Sequence, residues 1–256
     1  MKYYPVVVLS DIHLGSEYSK IKEVSAFLSA IRCDVLILNG DIIDGWQLQK
    51  SSRHWSHEHT YFFKVLMHLM EEGNTRIIYV RGNHDDFLDK LLPFRFSNIV
   101  LVKEYMLESC GRSYYVTHGD IFDTVTVRMR WLARLGDCGY SLLLLLNKYY
   151  NRYRMRRGKS YYSFSAKVKH KIKRAVSYIS DFENQLVELA KIKSADGVIC
   201  GHIHHAANRF YGDIHYLNSG DWVESMTALV QDTEGNWEIL EYADFMKCEY
   251  SQIVVA

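Results

Sequence analysis

Five short apolar runs, at residues 6–9, 35–38, 76–80, 114–117 and 198–200, each stop at a polar residue or a glycine. Runs of this length, rich in Val, Ile and Tyr and bounded by turn formers, predict buried strands. The intervening stretches at 21–31, 61–72 and 182–193 carry apolar residues at helical spacing and predict helices. Strand and helix alternate, which predicts an α/β fold with a largely parallel sheet covered by helices on its faces. Beyond residue 214 the pattern changes. Residues 215–217, 226–230 and 237–240 read as strands joined by tight turns, with Thr233-Glu234-Gly235-Asn236 as a hairpin turn. We expect these to form a second, mostly antiparallel sheet packed on the first. No internal repeat or low-complexity linker divides the chain, so residues 1–256 are expected to form a single domain.

Composition changes this picture at one place. Apolar content of 48% suits a real core, and a net charge of +1 names no partner by itself. That near-neutrality conceals a segregation. Residues 124–180 carry 14 Lys and Arg against one acid, Asp137, leaving 17 basic and 29 acidic residues elsewhere. A strongly basic insert therefore sits in an acidic body. It contains the Leu142 to Leu146 run and many tyrosines, and reads as a helical lid interrupted near Arg157-Gly158. The five cysteines are widely spaced and odd in number, which suggests reduced thiols in a cytoplasmic protein. The first residues lack the charge and apolar run of a signal peptide, and no stretch approaches the length of a membrane span.

The chemistry gathers where the strands end. Asp11-x-His13, Gly40-Asp41-x-x-Asp44, Gly82-Asn83-His84-Asp85, His118-Gly119-Asp120 and Gly201-His202-x-His204 each follow a predicted strand. Open α/β sheets place their sites at the carboxyl ends of strands. Carboxylates, an amide and imidazoles together are the donors that hold paired divalent transition metals. Asp11 and His13 can face one ion. Asp41 can present both oxygens and bridge two. Asn83 adds a neutral oxygen, and His118, His202 and His204 add nitrogens. Two ions so held would lower the pKa of a bridging water and direct the resulting hydroxide in line at phosphorus. The mixed donor set suits Mn, Fe or Zn better than Mg or Ca. Taken singly, each fragment reads as a turn, a helix cap or a surface pair; their joint order is the signal.

His84 is not needed as a ligand and is placed to contact the phosphate and protonate the leaving oxygen, with Asp85 orienting its ring. Asp44 either orients a ligand or caps the following helix. Asp120 is expected to support His118 or its turn. His54, His57 and His59 read as a solvated loop and helix start, and His205 and His215 as ordinary residues near the fifth motif.

These residues resemble those of the calcineurin-like metallophosphoesterases, from Val6 to about Trp222, with all five motifs in family order. The resemblance implies an αββα sandwich of two mixed sheets. It implies Asp11, His13, Asp41 and His204 around one metal, and Asp41, Asn83, His118 and His202 around the other. His84 matches the family's catalytic histidine. Gly40-Asp41-Ile42-Ile43-Asp44-Gly45-Trp46, Asn83-His84-Asp85-Asp86-Phe87-Leu88 and the helical insert are most similar to the UDP-2,3-diacylglucosamine pyrophosphohydrolases of the lipid A pathway. That likeness implies a manganese enzyme at the inner face of a bacterial inner membrane, releasing UMP and an acylated sugar phosphate. The chain departs from that group in carrying His84 where its best-known members carry arginine, and in its fifth motif, which ends His204-His205-Ala206.

The insert suits anionic headgroups and an acyl chain, and hence peripheral membrane contact, with Arg152, Arg154, Arg156 and Arg157 as phosphate contacts. A solvated basic helix with its Leu face packed on the body is the alternative. Nucleic acid would be attracted to the same charge, but no further nucleic-acid motif accompanies it. Two enzyme readings follow: a pyrophosphohydrolase on a nucleotide-linked lipid, or a soluble phosphodiesterase or phosphatase for a nucleotide or small ester. A non-catalytic metal-binding module is disfavoured, because no ligand and no candidate acid is missing. The sequence fixes no oligomeric state.

Overall fold

The computed structural model describes residues 1–50, 55–122, 157 and 164–254, the side chains of 164–176 and 249–254 excepted. In chain order the first elements are β1 (Lys2–Leu9), α1 (Ile21–Ala30), β2 (Ile31–Asn39), α2 (Gly45–Lys50), α3 (His57–Glu71) and β3 (Arg76–Val80). A 3-10 segment, Asn83–Leu91, leads into β4 (Phe94–Phe96), β5 (Ile99–Val102), β6 (Glu104–Ser109) and β7 (Arg112–Thr117). Then come α4 (Phe164–Ile192), β8 (Gly197–Cys200), β9 (Ala207–Tyr211), β10 (Ile214–Asn218), β11 (Thr227–Gln231), β12 (Trp237–Glu241) and α5 (Tyr242–Val254).

The strands form two mixed sheets. The first has the order β12-β11-β1-β2-β3-β5-β4 and the second β6-β7-β8-β10-β9. In the first, β1, β2, β3 and β5 run parallel, with Val6 beside Val35 and Val35 beside Arg76. Successive strand side chains point to opposite faces, and both faces here are covered. Val6, Val8, Ile37, Ile78 and Val80 cluster with Tyr114, Val116, Ile199 and Leu217 of the second sheet. The alternate residues Val7, Leu9, Leu36, Leu38 and Ile77 cluster with Phe27 and Leu28 of α1 and Phe62, Val65 and Leu66 of α3. This two-sided burial is why the strands read as unbroken apolar runs. Each such side chain contributes about 1.5–3 kcal/mol of transfer free energy.

The fold class is the one expected, two mixed sheets with helices, but the sheet memberships differ. The tail does not make a sheet of its own. β11 pairs antiparallel with β1 at the edge of the first sheet, with β12 outside it. β10 joins the second sheet, parallel to β8. The fourth predicted strand, β7, lies in the second sheet, where it forms a hairpin with β6, a strand that the pattern did not mark and that follows β5 after one residue.

The chain divides into two compact units, Met1–Ile121 with Leu186–Ala256, and Phe122–Gln185. In the second unit, the ring of Phe182 on α4 meets those of Phe122 and Tyr178. Arg157 stands in an exposed turn; Arg152, Arg154, Arg156 and most of the expected lid lie outside the described residues. Among the described residues no helix is long and apolar enough to cross a membrane.

Candidate metal centre

The first unit brings the ends of β1, β2, β3, β7 and β8 together, and backbone hydrogen bonds tie their loops. Asp11 N–H donates to Gly40 O (3.0 Å), His13 N–H to Asp41 O (2.9 Å), and Gly201 N–H to His118 O (3.1 Å). Asp11, His13, Asp41, His202 and His204 all have left-handed backbones, with φ between 52° and 68°. Non-glycine residues held there cost about 1–3 kcal/mol each and persist where the surroundings over-determine them. Glycines allow the close approach. A Cβ on Gly40, whose φ is +81°, would lie 2.3 Å from His118 Nδ1, and one on Gly82 would lie 2.4 Å from Asp41 Oδ1.

Among the described residues, three groups of donor atoms result: Asp11, His13 and His204; Asp41, His118 and His202; and His13, Asp41 and His84. Asp41 stands between the first two. Its Oδ1 accepts the His84 N–H (2.8 Å), while Oδ2 faces His118 Nε2 at 3.4 Å and His13 Nε2 at 3.7 Å. Asp11 Oδ2 accepts the His202 N–H (2.9 Å), and Oδ1 lies 3.0 Å from His204 Nε2.

The outer partners set the rings. His118 Nδ1 lies 2.9 Å from Asn39 O. A carbonyl only accepts, so Nδ1 carries a proton and Nε2 is the nitrogen turned toward Asp41. His84 Nδ1 lies 3.1 Å from Asp44 Oδ1, and His13 Nδ1 lies 3.7 Å from Asp44 Oδ2. Behind His204, Asp221 Oδ1 lies 4.0 Å from Nδ1. The His84 ring also lies against Trp46, with centroids 4.0 Å apart and planes tilted by 35°.

Asp85 does not take the orienting role expected of it. Its oxygens accept from Ile42 N–H (3.2 Å), Ile43 N–H (2.8 Å), Gly82 N–H (3.2 Å) and Tyr79 OH (2.7 Å), so it pins the third loop to the second. The carboxylate at His84 is Asp44, which also caps α2 by accepting from Gln47 N–H (3.0 Å). Asp120 pairs with Arg81 (2.5 Å). His59, read as solvated, is buried and accepts from Gly15 N–H (3.1 Å), bracing the loop that carries His13. Asp221 escaped the sequence reading, although Gly220-Asp221 repeats the Gly40-Asp41 pattern after a strand.

The electrostatics favour a cation. Asp11 and Asp41 are fully buried. Burial opposes their charge, yet His204 chiefly at Asp11, and His118 chiefly at Asp41, hold both carboxyls well below the usual range. Burial opposes protonation of His118 as well, but Asp41 and Asp11 raise its pKa to about 10. Burial, then the Asp41 charge, push Asp85 up to about 6. Asp41 Oδ2, Asn83 Oδ1 and His118 Nε2 are buried and make no hydrogen bond. Such atoms cost about 1–3 kcal/mol each when unsatisfied, and coordination to a divalent metal would satisfy all three. The oxygen and imidazole donors fit that role.

Residues 4–206 match the calcineurin-like phosphoesterases. The chain belongs to that family. It is a hydrolase of phosphoric esters, with clustered histidine and aspartate donors suited to divalent metals. No curated protein matches this phosphoesterase. Among solved structures it is similar to an archaeal phosphodiesterase (15% identity, 92% of this chain and 98% of the other, TM-score 0.45). It is also similar to a predicted phosphoesterase from Streptococcus pneumoniae TIGR4 (16%, 93% and 89%, 0.39) and to Vps29 from Entamoeba histolytica complexed with zinc (13%, 93% and 98%, 0.40).

Proposed function

We propose that this phosphoesterase is a dinuclear metal-dependent pyrophosphohydrolase. Its proposed substrate is a nucleotide-linked lipid such as UDP-2,3-diacylglucosamine, cleaved to UMP and an acylated sugar phosphate. The observation that carries the dinuclear reading is Asp41 Oδ2, a buried oxygen facing His13 of one donor group and His118 of the other. Asp11, His13, Asp41 and His204 would hold one ion, and Asp41, Asn83, His118 and His202 the second. Two divalent cations, manganese first and iron or zinc next, would supply Lewis acidity toward the phosphoryl oxygens and an acidified water.

The chain's own groups do the rest. Asp44 fixes the proton on His84 Nδ1, and Trp46 limits the ring's rotation. His84 Nε2 is then the nitrogen placed to contact phosphate and to pass a proton to the leaving oxygen. Asp85 acts through the backbone, holding the loop that presents Asn83 and His84.

The lipid half of the proposal rests on the basic insert with its Leu142 to Leu146 run and on Arg152, Arg154, Arg156 and Arg157 as headgroup contacts. A soluble phosphodiesterase is the second reading. It is favoured by the placement of all the described metal-centre residues in the first unit, outside the insert. Phosphorus NMR of manganese-loaded protein with UDP-2,3-diacylglucosamine in oxygen-18 water separates the two. Labelled UMP is the expected product. Absence of UMP with retained turnover of an aryl phosphodiester would overturn the lipid substrate and leave the soluble reading.

A further inference from the structure

A second cavity, about 460 Å³ in volume, lies in the first unit at the opposite ends of the strands. Arg112, on its lining, begins β7; His118, at the metal centre, follows that strand's end. Six residues of strand span roughly 20 Å, so the cavity is separate from the donor cluster. Its volume falls in the range of small-molecule sites.

The walls are aromatic. Phe210 stacks on His215 with centroids 4.1 Å apart and planes 12° from parallel. The Arg112 guanidinium lies 5.7 Å from the Phe210 centroid. Tyr114 meets Trp237 edge to face at 5.5 Å.

Most of the polar groups on these walls are committed to one another. Asn208 Nδ2 donates to Trp237 O (2.7 Å), which fixes Asn208 Oδ1 as an acceptor. His215 Nε2 therefore donates to that oxygen (2.8 Å), and its Nδ1 accepts from Tyr114 OH (3.4 Å). Two donors remain. Trp237 is 7% exposed and its Nε1–H is buried with no hydrogen-bond partner. Arg112 makes no ion pair among the described residues and offers its guanidinium fork. The one acid on the lining, Glu234, is exposed, where water and salt screen it.

We propose that this cavity is a second ligand site, for a small planar aromatic ring bearing an anionic group. The ring packs against the exposed Phe210, above the buried Tyr114 and Trp237, and the anion pairs with Arg112, whose fork matches carboxylate and phosphate oxygens. Aromatic carboxylates and nucleoside monophosphates share this chemistry.

The test uses the full chain and fluorine NMR. Para-fluorobenzoate carries both features; para-fluorobenzamide lacks the charge. Saturable binding of the benzoate is expected, with the benzamide weaker by about ten-fold or more. Arg112→Ala and Phe210→Ala should each weaken the benzoate by about ten-fold while leaving turnover of a soluble aryl phosphodiester unchanged, which also shows that the variants fold. Binding should persist in Asp41→Asn. In that variant, displacement of the benzoate by UMP assigns the site to nucleotides, and failure to displace it assigns the site to aromatic carboxylates. No saturable binding, equal binding of the benzamide, binding indifferent to both cavity substitutions, or loss in Asp41→Asn would each overturn the proposal.

Discussion

At Asp41 the two carboxylate oxygens have different work. Oδ1 holds the His84 amide, and Oδ2 faces the imidazoles of two donor groups. Asp41→Asn keeps the shape and removes the charge, so bound metal and turnover should fall together, as elemental analysis beside steady-state kinetics would show. His84→Ala should lower kcat by about 10²- to 10⁴-fold with metal content unchanged. Asp44→Asn should give a smaller loss, about 10- to 100-fold, because it disturbs the ring without removing it. A residue far from the metals carries a pH prediction. Burial first, then Arg112, depress the pKa of His215 to about 4. The folded state keeps this ring neutral, whereas the unfolded chain takes up a proton below about pH 6.5. Its contribution to stability is therefore present above about pH 6.5 and is lost as the pH falls toward 4. Thermal melts of His215→Gln should show a shallower loss across that window than the parent. At this scale the sequence motifs named residues that the fold brings together, because glycine, aspartate and histidine after a strand have few other reasons to recur. Asp221 and His59 were obscure for the opposite reason: a single Gly-Asp and a histidine in a polar stretch look like any loop until the loop they brace is seen.

The elements explain why those motifs require such local sequences. Five donor residues sit in the left-handed region, each at the exit of a strand or in the loop just beyond, and cross-loop hydrogen bonds hold them there. Gly40 leaves room for the His118 ring, and any side chain at that position would strike it. Gly40→Ala should therefore displace His118, lower the melting temperature and reduce bound metal. A variant that melts and binds metal as the parent does would contradict this packing. Strand positions were legible from apolar runs because both faces of the central strands are buried. Sheet membership was not, since a run of apolar residues does not say which edge it joins. β7 lies in the second sheet, beside β8, with the short β6 strand paired on its other side, and β6 has only Leu107 buried along its length, so it shows no unbroken apolar run.

In the first unit, two sheets share one core and direct five strand ends toward a cluster of carboxylates and imidazoles. A centre of that kind would be coupled to folding through any metals it holds. A ligand that binds only the folded state, at about 100 times its Kd, adds about 2.7 kcal/mol. For a chain of this size that is roughly 5–10 °C in Tm. Chelation should lower Tm by that order, and manganese or zinc should restore it, as calorimetry would show. The fold class was legible because strand and helix alternate along the chain, and the αββα layering came with the family resemblance. The substrate was not, because the phosphoryl chemistry is fixed by the donor cluster while the leaving group depends on surfaces that the motifs do not encode.

Two metal ions, both held through Asp41, would drive phosphoester hydrolysis by this centre. The most direct measurement is a titration of metal-free protein with manganese, following hydrolysis of an aryl phosphodiester and bound metal on the same samples. Turnover should rise to a plateau at two ions per chain and be lost in Asp41→Asn. A plateau at one ion, or turnover indifferent to added metal, would contradict it.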